Sequence, residues 1–87
     1  MTYKIRFVKS AEEQLLELPK SEAKKISKRI DKLSSDPFPS KCEKLAGEDS
    51  IYRVRQGDYR ILYSVFEKEL IILVVKIGHR REVYRRT

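Results

Sequence analysis

The chain has 87 residues, with 20 Lys and Arg against 13 Asp and Glu and a formal net charge of +7. That length holds one domain, residues 1–87, which buries about 60–65% of its unfolded surface and so has a thin core. The charge favours polyanionic partners, nucleic acid first; a single cysteine excludes an intrachain disulfide, and one His, one Cys and scattered carboxylates exclude a metal-ligand cluster and leave no cofactor implied.

The opening MTYKIRFVKS lacks the apolar core of a signal peptide. Residues 3–8 alternate, with Tyr3, Ile5 and Phe7 against Lys4 and Arg6, which reads as a strand with one buried face. Ser10 followed by Glu13 is a capping-box signature for a helix whose apolar side is Ala11, Leu15, Leu16 and Leu18, ended by Pro19. A second helix is expected from Ser21 to Leu33, with Ala23, Ile26, Ile30 and Leu33 on one face and Lys24, Lys25, Lys28, Arg29 and Lys32 around the rest as a solvated surface. Ser34 to Pro37 stops it, and a loop is expected to about Ser50, with Cys42 in a polar stretch.

From Ile51 the pattern turns to strands. IYRVR, YRILYSVF and LIILVVKI are rich in β-branched and aromatic residues and are separated by Gln56-Gly57-Asp58 and Glu67-Lys68-Glu69. The last run is nearly all apolar, as for a strand covered on both faces. Interrupted by Lys76, it is too short to span a bilayer, so a cytoplasmic protein with no membrane contact is expected. The order β-α-α-β-β-β describes an α+β domain, a two-helix hairpin packed on an antiparallel sheet.

Arg53 and Arg55 stand two apart on a strand and share a face; Arg60 lies just past the turn on the paired strand. Arg80, Arg81, Arg85 and Arg86 follow the last strand. Guanidinium forks match phosphate geometry. Tyr52, Tyr59, Tyr63 and Tyr84 interleave the arginines, a combination suited to unstacked RNA bases. Tyr63 reads as core, and Tyr84, in a polar tail, reads as exposed.

The segments IYRVRQGDYRILYSV and VKIGHRREVYRR resemble the RelE branch of the RelE/ParE toxin superfamily, with agreement in element order and length over nearly the whole chain. The hairpin is shared across the superfamily, and the tail is closer to the ribonuclease branch. The resemblance implies a toxin of a type II toxin–antitoxin system, an endoribonuclease that cuts messenger RNA in the A site of the 30S ribosomal subunit. It also implies a RelB-like antitoxin partner, with operator DNA bound only through the complex. The family's alternate basic pair falls on Arg53 and Arg55, the arginine after the turn on Arg60, the arginine after the last strand's glycine on Arg80, and the terminal tyrosine on Tyr84. His79 matches a position catalytic in a subset of members. Arg81 could take the role given to Arg80, and Arg81, Arg85 and Tyr52 add RNA contacts.

The 2′-hydroxyl of RNA is the nucleophile; arginines stabilise the phosphorane-like transition state, and Tyr84 would orient a base by stacking. Arginine, with a pKa above ~12, is a poor base. The proton acceptor is therefore His79, Tyr84 or a ribosomal group, or the reaction runs on orientation and charge. A pairing of Cys42 with His79 for nucleophilic catalysis is disfavoured. Three other readings stay open: a ParE-like inhibitor of DNA gyrase, a non-catalytic RNA-binding module and an inactive toxin relative.

Overall fold

The alternation at the N-terminus forms β1 (Lys4–Phe7), which sends Ile5 and Phe7 to the core side and Lys4 and Arg6 to the other. The computed structural model describes residues 2–45 and 51–79. Two helices, α1 (Lys9–Leu16) and α2 (Lys20–Leu33), are followed by four strands: β2 (Glu43–Lys44), β3 (Ile51–Gln56), β4 (Tyr59–Phe66) and β5 (Ile71–His79). They form one sheet in the order β1-β5-β4-β3-β2. Neighbours are antiparallel except β1, which runs parallel to β5 and so needs a crossover, here supplied by everything between them.

The capping box expected at Ser10 does not form. The Val8 N–H donates to the Val74 carbonyl at 3.0 Å, and the Val8 carbonyl accepts from the Glu12 N–H at 3.0 Å. One residue thus closes the strand and opens the helix, and Ser10 falls inside the first turn with no capping role for its hydroxyl. Leu16, assigned by its sequence to the apolar side, is 78% exposed. The second helix starts one residue earlier than expected, after Pro19, and buries Ile26, Ile30 and Leu33 as its spacing requires.

These three residues and Ala11 cover Val54, Ile61, Tyr63, Val65, Ile72, Val74 and Ile77 on a single face of the sheet. Ile71, Leu73 and Val75 are only half-buried, so the last strand is fully covered on one face rather than on both. Tyr63 pairs with Val74, yet Leu62 pairs with Lys76, which leaves Val75 as an extra residue. This bulge reverses the alternation. Without it, Lys76 would share the buried face of Ile72 and Val74; with it, Ile77 takes that face and Lys76 turns outward.

The expected loop before Ser50 contains an edge strand. β2 pairs with β3, and three contacts pin the segment before it. The Tyr63 hydroxyl donates to the Pro37 carbonyl at 2.7 Å, Phe38 meets Tyr52 edge-on at 5.0 Å, and Cys42 packs against the core. Cys42 is therefore half-buried, not part of a purely polar stretch. The hairpin between β3 and β4 closes in two residues, with Gly57 at φ +61°, a conformation natural to glycine.

β1 borders β5 only as far as Val74. Beyond that point the Ile77 N–H donates to Gln14 Oε1 on α1 at 2.8 Å, tying the helix to the far end of the strand. Gln14→Ala leaves this N–H without its partner, and a loss of about 1–2 kcal/mol in urea unfolding is expected. Gln14→Glu keeps an acceptor and should lose less.

Candidate active site

The β3–β4 register pairs Arg53 with Leu62 and Arg55 with Arg60. Directly opposed residues point to the same side. The alternate pair, Val54 and Ile61, is fully buried under the helices, so the arginines occupy the face the helices leave open. Arg60 is 3% exposed, and Arg55 is exposed at the strand edge. On the next strand Gly78 opposes Arg60 and places no side chain beside it, while Lys76 opposes Leu62 and brings a further cation to this face.

Like charges opposed across a sheet are destabilising, and arginine stays charged when buried. Among the described residues the carboxylate of Glu43 offsets part of this charge. Glu43 faces Arg53 across the β2–β3 register and accepts a hydrogen bond from Arg53 Nη2 at 2.8 Å. That bond and the charge of Arg53 hold the Glu43 carboxyl below its ordinary value of 4.5, with smaller contributions from Arg55 and Arg60. Glu43 thus senses all three guanidinium groups.

His79 does not join them. It opposes Tyr59, their rings meet edge-to-face at 5.6 Å, and both border a cleft of about 300 Å³ with Gln14, Glu17 and Leu18. The imidazole therefore sits on the helix side of the sheet. Tyr52 is on that side too, stacked on Tyr63 at 5.9 Å. Tyr63 is fully buried, and burial pushes its hydroxyl pKa well up, so it remains a neutral donor to Pro37. Arg80, Arg81, Tyr84 and Arg85 lie outside the described residues; Arg80 follows His79 directly in the chain.

Four residues of this neighbourhood escape a reading by alternation and composition. Lys76 is hidden by the bulge, and Glu43 by a strand of only two residues. Arg29 and Lys41 line a cleft of about 400 Å³ with Ser40, Cys42, Glu43 and Arg55 at the edge of β3. No periodic signal brings a helix and a loop to that edge.

The depressed Glu43 pKa implies that its ion pair is formed above that pKa and lost as the pH falls through it. NMR titration of the side-chain carboxyl should find its midpoint below 4.5. In Arg53→Ala the midpoint should rise toward the ordinary value, and an unchanged midpoint would disprove the pairing.

Comparison with known proteins agrees with the fold. Residues 5–84 match the family described as the ParE toxin of the type II toxin–antitoxin system parDE. The RelE1 toxin candidate of Methanocaldococcus jannaschii is 33% identical over 98% of both chains. Toxin RelG of Mycobacterium tuberculosis is 31% identical over 99% of this chain and 100% of its own. The archaeal RelE–RelB complex of Pyrococcus horikoshii contains a chain with a TM-score of 0.80 and 34% identity, covering 92% of this chain and 97% of that one. With matches along nearly its whole length, the chain belongs to the RelE/ParE superfamily, as a RelE-type toxin of a type II toxin–antitoxin system.

Proposed function

We propose that this toxin is a ribosome-dependent endoribonuclease that cuts messenger RNA in the A site. The observation that carries the reading is the set of Arg53, Arg55 and Arg60 on the open face, beside the end of the strand from which the basic tail continues. Strand pairing on both sides of β4 fixes the backbone beneath them, the rigid support that preorganised positive charge requires.

In this reading the 2′-oxygen of a ribose attacks the adjacent phosphorus, and the bond from phosphorus to the 5′-oxygen of the next nucleotide breaks. The products are a 2′,3′-cyclic phosphate and a 5′-hydroxyl. Arg55 and Arg60 stabilise the negative charge that grows on the non-bridging oxygens. Arg80 donates a hydrogen bond to the departing 5′-oxygen, which takes its proton from water, and Tyr84 stacks on a base to hold the attacking hydroxyl in line. Arg53, Arg81 and Arg85 hold the backbone on either side.

Among the described residues the open face carries no histidine, and its carboxylate Glu43 is engaged with Arg53. His79, packed on Tyr59, is assigned the supporting role of anchoring the start of the tail. Tyr52, packed on Tyr63, is given a structural role. The proton acceptor is then supplied by the ribosome, or the reaction runs on alignment and charge. Either accounts for dependence on the ribosome and places the action in the cytoplasm.

The matched family's ParE description favours a second reading, inhibition of DNA gyrase without RNA cleavage. Primer extension on messenger RNA in programmed ribosomes separates the two. Wild type should give A-site breaks, and Arg60→Ala, Arg80→Ala and Tyr84→Ala should each slow them by about 10²–10³-fold. His79→Ala should slow them far less. Folded wild-type protein that makes no breaks but blocks gyrase supercoiling would establish the second reading.

The Pyrococcus horikoshii relative was crystallised with RelB. We assign this chain an equivalent antitoxin, whose acidic segments would cover the arginines and through which the pair would bind operator DNA. A partner that binds only the folded toxin stabilises it by mass action, by about 3–4 kcal/mol at a few hundred times its Kd. The co-expressed complex should therefore melt well above the free toxin, and equal melting temperatures would refute the assignment.

A further inference from the structure

β2 pairs with β3 at Tyr52 and Arg53, and Leu45 N–H donates to the Ile51 carbonyl. Beyond Arg53, at Arg55, the strand edge borders the cleft of about 400 Å³ lined by Arg29, Ser40, Lys41, Cys42, Glu43 and Arg55. Among the described residues its three cations come from three separate segments: α2, the chain before β2, and β3. Glu43, the carboxylate among them, is hydrogen-bonded to Arg53 and offsets the three only in part.

Arg29 is distinct from its neighbours on the helix. Lys24, Lys25, Lys28 and Lys32 are exposed, as a solvated basic surface should be, whereas Arg29 is half-buried against the cleft. Arg55 borders the cleft and also opposes Arg60 on the open face. The two basic regions therefore share a residue and are continuous around the β3 edge. A guanidinium fork, a second guanidinium, an ammonium and the Ser40 hydroxyl together make a donor set that suits a phosphodiester.

We propose that this cleft is a second phosphate site for the same RNA strand, which passes from the open-face arginines around the β3 edge to Arg29 and Lys41. The proposal rests on the reading of the open face as an RNA site. It assigns Arg29 and Lys41 to substrate binding away from the reacting phosphate, and it makes binding depend on RNA length.

The test is fluorescence anisotropy with 2′-O-methyl oligouridylates, which lack the attacking hydroxyl, as a trinucleotide and a decanucleotide. Arg29→Ala should weaken the decanucleotide by roughly threefold to tenfold and reduce its salt slope by about 0.7, the value for one lost single-strand phosphate contact. Trinucleotide binding should be unchanged. Arg29→Lys, which keeps the charge and the fold but loses the fork, should fall between. Lys25→Ala, an equal charge change on the exposed helix surface, should have a clearly smaller effect on the decanucleotide. Equal effects of Arg29→Ala and Lys25→Ala, or equal losses for both lengths, would overturn the cleft as a site. Arg60→Ala reports on the open face separately: it should weaken both lengths, and if it weakens neither, the open-face reading fails whatever Arg29 does.

Discussion

The β3–β4 register holds guanidinium groups on one face of the sheet against their mutual repulsion. Arg55 and Arg60 are directly opposed, and Arg53 is two residues along the same strand. In water such a trio would separate. Here the ladder bonds of β4, which is flanked by β3 and β5, and the burial of Val54, Ile61 and Tyr63 behind it fix the backbone, so all three side chains leave the sheet on one face. Fully burying one large apolar side chain contributes about 1.5–3 kcal/mol, so several such residues outweigh a partly screened repulsion. The small core thus has a second task besides holding the fold: it keeps the backbone of the three arginines in one register, on one face of the sheet.

The two faces of the sheet divide the chemistry. The helix side takes most of the aromatic groups, with Phe38 edge-on to Tyr52, Tyr52 stacked on Tyr63, and Tyr59 with His79 at the strand ends. The open side takes Arg53, Arg55, Arg60 and Lys76. Strict alternation along β3 and β4 produces this division, and one bulge in β5 preserves it. Val75 lets Ile77 reach the core while Lys76 joins the cations; the extra residue exchanges the positions of an apolar and a charged side chain without changing either.

How much of this was legible in the sequence follows from the range of the forces involved. Helices and strands were readable because Ile26, Ile30 and Leu33, or Val54 against Arg53 and Arg55, repeat at the periods their elements impose. The shared face of the three arginines followed from the same alternation and a short turn. What alternation cannot show is anything set by a distant partner. The start of α1 is fixed by Val74, far along the chain, which overrides the local preference of Ser10. The edge strand at Glu43 exists because β3 offers it a ladder, not because Glu43-Lys44 favours extended backbone. The position of His79 depends on its register with Tyr59, and the parallel pairing of β1 on a crossover. The residue types of the candidate site were therefore visible, and their division between two faces was only partly so.

The end of β5 shows how the fold joins the sheet to the basic tail. Gln14 holds the Ile77 N–H from the helix side, Tyr59 packs on His79, and Gly78 lies against Arg60. Three successive residues are thus fixed by two elements, α1 and β4. Covalent attachment to a fixed His79 restricts where Arg80 can begin, whatever path the following residues take. The point at which the tail leaves the sheet is therefore set from the helix side by Gln14 and Tyr59, neither of which carries a charge, while Arg60 faces the other way.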